Sequence, residues 1–280
     1  MNTLELQKMC PQIRRDIVRM VHAVQSGHPG GSLGCVEFFV ALFFKIMNHK
    51  KDFQMDGVNE DLFFLSNGHI SPVLYSVLAR SGYFDVHELK TFRHIGSRLQ
   101  GHPATKEKLP GIRIATGSLG QGLSVAIGAC ISKKINNDSS LVYCLCGDGE
   151  LQEGQVWEAL MYAGAKKIDN LIMTIDLNKQ QICGSTEEIL SLGNLNEKIT
   201  SFGWELVNIK NGNEMESVLE GLKSAIELTK KGKPVCVLLH TEMGNGVDFM
   251  MGSHEWHGIA PNDDQLKLAL EQLKETLGDF

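Results

Sequence analysis

Five apolar runs of strand length, most of them alternating with helical patterns, constrain the fold of this chain more than any other feature. Unbroken apolar runs are typical of strands that are buried on both faces, and their alternation with helices indicates a parallel sheet. The predicted strands are Asp61–Leu65, Ser140–Cys146, Asn170–Leu177, Trp204–Ile209 and Pro234–His240. The sequence therefore predicts an α/β fold, with a mainly parallel sheet covered by helices on both faces.

Helical periodicity accounts for much of the remaining chain. Apolar residues recur near helical spacing from Leu4 to Val24, which indicates an amphipathic first helix. The glycine-rich segment Ser26–Gly34 is expected to interrupt it, and Ser71-Pro72 has the residue types of a helix start. Further helices are predicted at Val36–Met47, Leu119–Lys134, Gln155–Lys166, Glu214–Lys231 and Asp263–Leu277. Because no long linker divides the chain, we expect residues 1–280 to form a single domain.

Composition and charge argue against several classes of function. The net charge is −6 and no Lys/Arg-rich block is present, so a nucleic-acid partner is not expected. No apolar run reaches the roughly 18 residues of a membrane span, and Met1–Val24 lacks the apolar centre of a signal peptide. The seven cysteines never form a C-x-x-C pair. Reduced thiols in a cytoplasmic protein are therefore expected.

Polar residues at the ends of two predicted strands indicate a site for a metal and a phosphate group. Asp148 follows the second predicted strand between Gly147 and Gly149, and Asn178 follows the third. In open parallel sheets, ligands bind at the carboxyl ends of the strands. A carboxylate, an amide oxygen and a nearby backbone carbonyl form a hard oxygen set suited to Mg²⁺. The glycines leave backbone N–H groups free to contact phosphate oxygens.

Half of the ten histidines lie in glycine-rich or loop segments: His28, His69, His102, His254 and His257. Loops at strand ends are where polar active-site groups gather, and an imidazole both donates and accepts protons near neutral pH. The pair His254-x-x-His257 also has the spacing of zinc ligands. A zinc site is the weaker alternative, because no cysteine or carboxylate set accompanies this pair.

The stretch Gly147–Ile182, GDGELQEGQVWEALMYAGAKKIDNLIMTIDLNKQQI, resembles the thiamine-diphosphate motif of transketolases over its whole length. The resemblance implies thiamine diphosphate and Mg²⁺ as cofactors. It also implies that Asp148, Asn178 and the backbone carbonyl of Gln180 are the Mg²⁺ ligands.

The same resemblance implies a wider set of cofactor-binding residues, namely His69, Gly117, Leu119, Gly147, Gly149, Glu153, Glu158, Ile182 and His254. Ile182 would pack on the thiazolium ring, and Glu153 and Glu158 would lie near the cofactor at a subunit interface. The segment Ala115–Gly122 resembles the family's cofactor loop, which would bring Gly117 and Leu119 against the diphosphate and the aminopyrimidine. The sequence departs from the family pattern at Ser118, where many members have proline, and at Cys183, where aspartate is common.

The histidine motifs resemble those that line the transketolase substrate channel. On that resemblance His28, His69, His102 and His254 are expected to be catalytic groups that hold substrate hydroxyls and transfer protons. His257 ranks below these four, as a residue that supports them.

The resemblance extends over essentially the whole chain but matches only the first half of a transketolase. The pyrimidine-binding and C-terminal domains, with the glutamate that activates the cofactor, are expected on a partner chain. This implies the N-terminal subunit of a split transketolase in an α₂β₂ heterotetramer. It would transfer a two-carbon ketol unit reversibly from a ketose to an aldose, with sugar phosphates as substrates, as in the pentose phosphate pathway.

Four other readings compete with this expectation. Deoxyxylulose-phosphate synthases have a related GDG motif, and the α subunits of 2-oxo-acid dehydrogenases have a similar split arrangement. The segments SGHPGGSLG, ATGSLGQG and GSHEWHG nevertheless look like transketolase segments. A split transketolase for unusual sugars is a further alternative. A non-catalytic relative that binds cofactor is the last, and the complete set of expected ligands and histidines argues against it.

Overall fold

The five predicted strands form one parallel sheet, as expected from their apolar runs. The computed structural model describes residues 1–280. The strands are β1 (Leu62–Leu65), β2 (Val142–Gly147), β3 (Leu171–Leu177), β6 (Glu205–Ile209) and β7 (Val235–His240). Their spatial order is β1-β2-β3-β7-β6, and every neighbouring pair is parallel. A separate antiparallel ribbon, which was not predicted, consists of β4 (Gln180–Gln181) and β5 (Gly184–Ser185).

Ten α-helices connect or flank these strands. They are α1 (Thr3–Ala23), α2 (Pro29–Gly34), α3 (Val36–Ala41), α4 (Ser71–Arg80), α5 (Gly122–Ile135), α6 (Gly154–Ala165), α7 (Thr186–Leu190), α8 (Leu195–Ser201), α9 (Met215–Leu228) and α10 (Asp263–Gln272). A π-helical turn at Leu42–Ile46 extends α3, which accounts for the predicted helix in that region. Helices α7 and α8 were not predicted. No helix combines the length and the apolar character that crossing a membrane requires.

Alternation of side chains along the strands divides the interior into two hydrophobic cores. On β2, Val142, Cys144 and Cys146 face one core, whereas Tyr143 and Leu145 face the other. The first core contains residues of α5 and α6, and the second contains residues of α1, α3 and α4. Because both faces are covered, every residue of β3 except Leu177 is buried. The prediction of an α/β fold with helices on both faces is confirmed.

The glycine-rich segment at residues 26–34 is more ordered than predicted. It interrupts α1, but its second part forms α2, whose six residues are all buried. Ser32 Oγ donates a hydrogen bond to the carbonyl of His28 at 2.8 Å. A Cβ at Gly34 would lie 2.9 Å from the carbonyl oxygen of Glu242. The glycines therefore permit close packing against the loop after β7, and tertiary packing overrides their low helix propensity.

The last helix is shorter than predicted because the first helix binds the chain that follows it. Arg15 Nη1 donates hydrogen bonds to the carbonyls of Leu270 and Leu273, at 2.9 and 2.7 Å. The backbone N–H groups of Thr276 and Leu277 donate to Gln12 Oε1 at 2.9 and 3.0 Å. These bonds hold residues 273–277 in a non-helical path across α1.

Candidate active site

A cavity of about 400 Å³ lies at the carboxyl edge of the sheet, beyond the ends of β1, β2 and β3. Most of the residues singled out from the sequence line it: His28, His69, Gly117, Leu119, Gly147, Asp148, Gly149, Glu153, Asn178, Gln180 and Ile182. Residues more than 150 positions apart in the chain thus meet in one cavity, because parallel strands bring their carboxyl ends to the same edge.

The three expected metal ligands lie together on one wall of the cavity. Asp148 ends β2, and its two carboxylate oxygens accept hydrogen bonds from the N–H groups of Gly149 and Lys179, at 2.8 and 2.6 Å. Asn178 follows β3, and its Oδ1 accepts from the N–H of Gln180 at 2.9 Å. Each carboxylate oxygen has two lone pairs, so these bonds leave acceptor capacity for a cation.

Two buried carboxylates without a cationic partner give this wall a strongly negative character. Asp148 and Asp176 are 3% and 1% exposed, and neither pairs with a lysine or an arginine. Burial, followed by repulsion from Asp176, raises the pKa of Asp148 to about 7. Burial likewise raises the pKa of Asp176, whose carboxylate accepts hydrogen bonds from Asn178 and Thr241. A divalent cation would compensate this charge, so the wall fits Mg²⁺.

Glycines form the parts of the wall where a ligand must approach the backbone. Gly117 has a φ of +123°, and a Cβ there would lie 2.9 Å from the ring of His102. Gly147 and Gly149 flank Asp148, and both line the cavity. A Cβ at Gly147 would meet no atom closer than the side chain of Asn67, at 3.7 Å. The missing side chain at Gly147 therefore leaves cavity space open rather than relieving a clash.

Four histidine rings cluster at the cavity. The ring of His28 lies 5.1 Å from that of His69, 6.2 Å from that of His102 and 5.6 Å from that of His257, measured between centroids. His69 and His257 stack at 5.1 Å. Nδ1 of His28 and Nδ1 of His257 are buried and have no hydrogen-bond partner. Such orphaned polar atoms are costly, and a bound polar ligand would satisfy them.

The clustered histidines are neutral at physiological pH. Burial lowers the pKa of His28 to about 4, and the nearby His257, Arg93 and His102 lower it further. Burial also lowers the pKa of His69, His102 and His257. Each neutral imidazole has one donor and one acceptor nitrogen, so the cluster suits hydroxyl groups better than cations or carboxylates.

The structure corrects the choice between the two histidines of GSHEWHG. Trp256 is buried and packs its ring against Phe249 at 5.4 Å, which fixes the short 3₁₀ turn His254–His257. The following residue, His257, lines the cavity and contacts His28 and His69, whereas His254 is exposed and joins no ring of the cluster. His257 therefore replaces His254 as the candidate catalytic and cofactor-contacting residue. The zinc alternative also loses support, because these two rings occupy different environments.

The remaining expected residues lie at or beyond the edge of the cavity. His102 belongs to the histidine cluster, although it is not among the cavity-lining residues. Glu153 lines the cavity and is exposed, and Ile182 lines it with 64% of its surface exposed. Glu158 is exposed on α6 and does not reach the cavity. An apolar side chain as exposed as Ile182 at a cavity mouth is available for contact with a ligand or another chain.

Several lining residues were not singled out from the sequence, among them Asn67, Glu150, Asp176, Gln181 and Met243. Two of them, Asn67 and Gln181, have buried side-chain oxygens without a hydrogen-bond partner. Asp176 lies inside the apolar run of β3, and a single carboxylate in an otherwise hydrophobic strand was the available signal. Asn67 similarly follows β1 directly, at the edge where ligands bind.

Residues 6–278 match the family model described as transketolase, thiamine diphosphate binding domain. One of the two subunits of an apulose-4-phosphate transketolase from Actinobacillus succinogenes is 40% identical, over 97% of this chain and 96% of that protein. The 6-deoxy-6-sulfo-D-fructose transketolase subunit SqwG from Clostridium sp. is 38% identical, over 97% of each chain. The crystal structure of transketolase from Campylobacter jejuni superimposes with a TM-score of 0.88 and 34% identity. That match covers 98% of this chain but only 43% of the Campylobacter protein.

Proposed function

The chain belongs to the transketolase thiamine-diphosphate-binding family, and from this membership we propose that it is the cofactor-anchoring subunit of a split transketolase. Together with a second chain, it transfers a two-carbon ketol unit reversibly from a ketose donor to an aldose acceptor. The observation that carries this proposal is one cavity in which a buried, cation-deficient carboxylate wall faces a cluster of neutral histidines.

Asp148, Asn178 and the carbonyl of Gln180 hold Mg²⁺ in this proposal. The charge of Asp148 and Asp176 supports it, because no lysine or arginine compensates these buried carboxylates. A carboxylate, an amide oxygen and a carbonyl leave further positions of an octahedron for diphosphate oxygens and water. The absence of a cluster of three or more acidic, histidine or cysteine ligands agrees with a metal that is held partly by its diphosphate.

The backbone around Gly117, Gly147 and Gly149 holds the diphosphate, with the imidazole of His69 beside it. Leu119, Ile182 and Met243 supply apolar surface for the rings of the cofactor, and all three line the cavity. When it is bound, thiamine diphosphate supplies the electron sink for breaking and forming the carbon–carbon bond.

The neutral histidines orient the sugars and transfer protons. Nδ1 of His28 and Nδ1 of His257 are available for substrate hydroxyls, since neither has a partner in the protein. Their lowered pKa values keep both rings uncharged, so that each can accept a proton from a hydroxyl and return it. His102 holds the acceptor sugar from the outer side of the cluster.

The partner is proposed to be a C-terminal subunit with a pyrimidine-binding domain, in an α₂β₂ heterotetramer. Two relatives named as separate transketolase subunits match this chain over nearly their whole lengths, which supports the same division here. Exposed Ile182 and Glu153 at the cavity mouth, and Glu158 nearby on α6, are the residues that such a subunit would cover. The seven cysteines are all free thiols, which supports a cytoplasmic location.

Sugar phosphates are the proposed substrates, including those of the pentose phosphate pathway. Unusual sugars are the second candidate, because the relatives whose names specify apulose 4-phosphate and a sulfonated fructose are 40% and 38% identical to this chain. Transketolase from Campylobacter jejuni, by comparison, is 34% identical.

An acceptor panel tests this proposal and separates its two forms. The chain would be assayed with its second subunit, Mg²⁺ and thiamine diphosphate, using hydroxypyruvate as the donor. Ribose 5-phosphate, apulose-type branched sugars and sulfonated sugars would be compared as acceptors or reverse donors. Fastest turnover with ribose 5-phosphate supports the pentose phosphate substrates, and preference for another sugar supports the second candidate. Failure of every ketose and aldose pair would contradict two-carbon transfer.

A further inference from the structure

Glu150 is a buried carboxylate that has no role in the proposed metal or substrate contacts. It is 2% exposed, forms no salt bridge and lies in the 3₁₀ turn Gly149–Gln152 that follows β2. Trp157 Nε1 donates a hydrogen bond of 2.7 Å to the carbonyl of the next residue, Leu151, which is fully buried. The turn is therefore anchored in the core, and the position of the carboxylate is fixed.

The two oxygens of Glu150 join three separate segments of the cavity wall. Oε1 accepts hydrogen bonds from the hydroxyl of Ser66, which follows β1, and from the N–H of Gly120 at 2.8 Å. Oε2 accepts from the N–H of Gly147 at 3.1 Å. Ser66 Oγ in turn accepts from the N–H of Gly122, at the start of α5, at 3.1 Å.

Each of these segments carries residues that line the cavity. Asn67 and His69 follow Ser66, Leu119 precedes Gly120, and Asp148 follows Gly147. A buried carboxylate without a cation is costly, and here the compensation comes entirely from hydrogen bonds donated by these loops. The distance between the loops therefore depends on a single side chain.

We infer that Glu150 is a positioning residue that sets the affinity of the cavity for Mg²⁺ and thiamine diphosphate by fixing these three segments relative to one another. The inference rests on the proposed function, which supplies the ligand. Glu150 touches neither metal nor substrate in this account, and it acts through the loops that do.

Glu150→Gln is the sharpest substitution, because glutamine has the same shape but only one acceptor oxygen. Whichever way its amide is turned, an NH₂ group faces an N–H donor of Gly147 or Gly120. Asp61→Asn is a matched control at the opposite edge of the sheet. Asp61 is 8% exposed, and its oxygens accept from the N–H groups of Asn48 and Leu141 at 3.0 and 2.8 Å, also without a salt bridge.

Isothermal titration of the full chain with thiamine diphosphate in excess Mg²⁺ tests the inference, alongside thermal unfolding of each variant without ligand. We expect both substitutions to lower Tm, and only Glu150→Gln to weaken binding, by about tenfold or more. Transfer by the assembled enzyme at saturating cofactor should then remain near the wild-type rate. Ser66→Ala, which removes one of the three donors, should weaken binding less and covers the case in which Glu150→Gln does not fold.

Unchanged affinity in Glu150→Gln and Ser66→Ala, or equal weakening in Asp61→Asn, would overturn the positioning role of Glu150. Absence of binding by the wild-type chain would instead contradict the proposed function, and the inference would fall with it. The wild-type titration therefore distinguishes the two failures.

Discussion

The imidazole of His102 lies directly over Gly117, so that a Cβ at position 117 would be 2.9 Å from two carbons of the ring. The φ of Gly117 is +123°, a conformation that side chains with a Cβ rarely adopt. A histidine of the proposed substrate cluster and a glycine of the proposed cofactor loop are thus in contact. The position of one depends on the absence of a side chain on the other.

Gly117→Ala should therefore damage cofactor binding and transfer together. The left-handed backbone costs about 1–3 kcal/mol, and the added methyl group displaces His102. We expect at least about tenfold weaker binding of thiamine diphosphate by calorimetry, and a lower rate. Gly128→Ala is the control, because a Cβ at this exposed position in α5 meets no atom within 4 Å. It should raise Tm slightly, and equal binding in both variants would refute the importance of the contact.

Asp148→Ala should abolish Mg²⁺-dependent activity of the assembled enzyme. The substitution removes the only carboxylate among the proposed metal ligands, so a loss of more than about 100-fold is expected. Steady-state transfer rates over a range of Mg²⁺ concentrations provide the measurement, and circular dichroism checks the fold. Asp56→Ala changes an exposed carboxylate far from the cavity and should leave the rate unchanged. Near-normal turnover by Asp148→Ala would refute the metal assignment.

His257 and His254 should differ sharply when each is replaced by alanine. His257 stacks on His69 at the cavity, whereas His254 is exposed three residues earlier. A proton-transferring side chain contributes about 100-fold or more to rate, so His257→Ala should lower kcat by that order. His254→Ala should remain within about twofold of the wild type. The reverse order of effects would restore the assignment made from the sequence alone.

Protonation of the histidine cluster should destabilise the metal-free chain in mildly acidic solution. Burial lowers the pKa of His28 to about 4, below its ordinary value of 6.5, and His69, His102, His257 and Arg93 surround it without a carboxylate. The unfolded chain therefore binds more protons between these values, and stability is lost as pH falls from about 6.5 towards 4. Chemical unfolding at several pH values should show that slope.

His28→Asn should reduce the slope, since asparagine does not titrate in this range. His87→Asn replaces an exposed histidine and should leave it unchanged. An identical pH dependence in wild type and His28→Asn would show that the cluster is not the cause.

The sheet could be predicted from the sequence because its strands are nearly pure apolar runs. The boundaries of β3, β6 and β7 lie within one residue of the prediction at both ends. Helix α2 could not, because Gly30, Gly31 and Gly34 indicate a break when they are read locally. Its helical form depends on packing against the loop after β7, which is more than 200 residues away.

The site was predictable where a residue directly follows a strand, and less so where a loop selects between neighbours. Asp148 and Asn178 follow β2 and β3, and the sheet alone brings them together. The choice of His257 over His254 depends on the burial of Trp256, which spacing within the motif does not reveal. Glu150 was missed because its partners, Ser66 and Gly120, are distant in sequence and have no pattern in common.

Two-carbon transfer from hydroxypyruvate to an aldose phosphate, measured on this chain alone and then with a chain carrying a pyrimidine-binding domain, tests the central claim most directly. Mg²⁺ and thiamine diphosphate would be present throughout, and the second chain alone would be the control. We predict activity only in the mixture, with a maximum at equal amounts of the two chains. Turnover by this chain alone would contradict the claim that its site requires a second subunit.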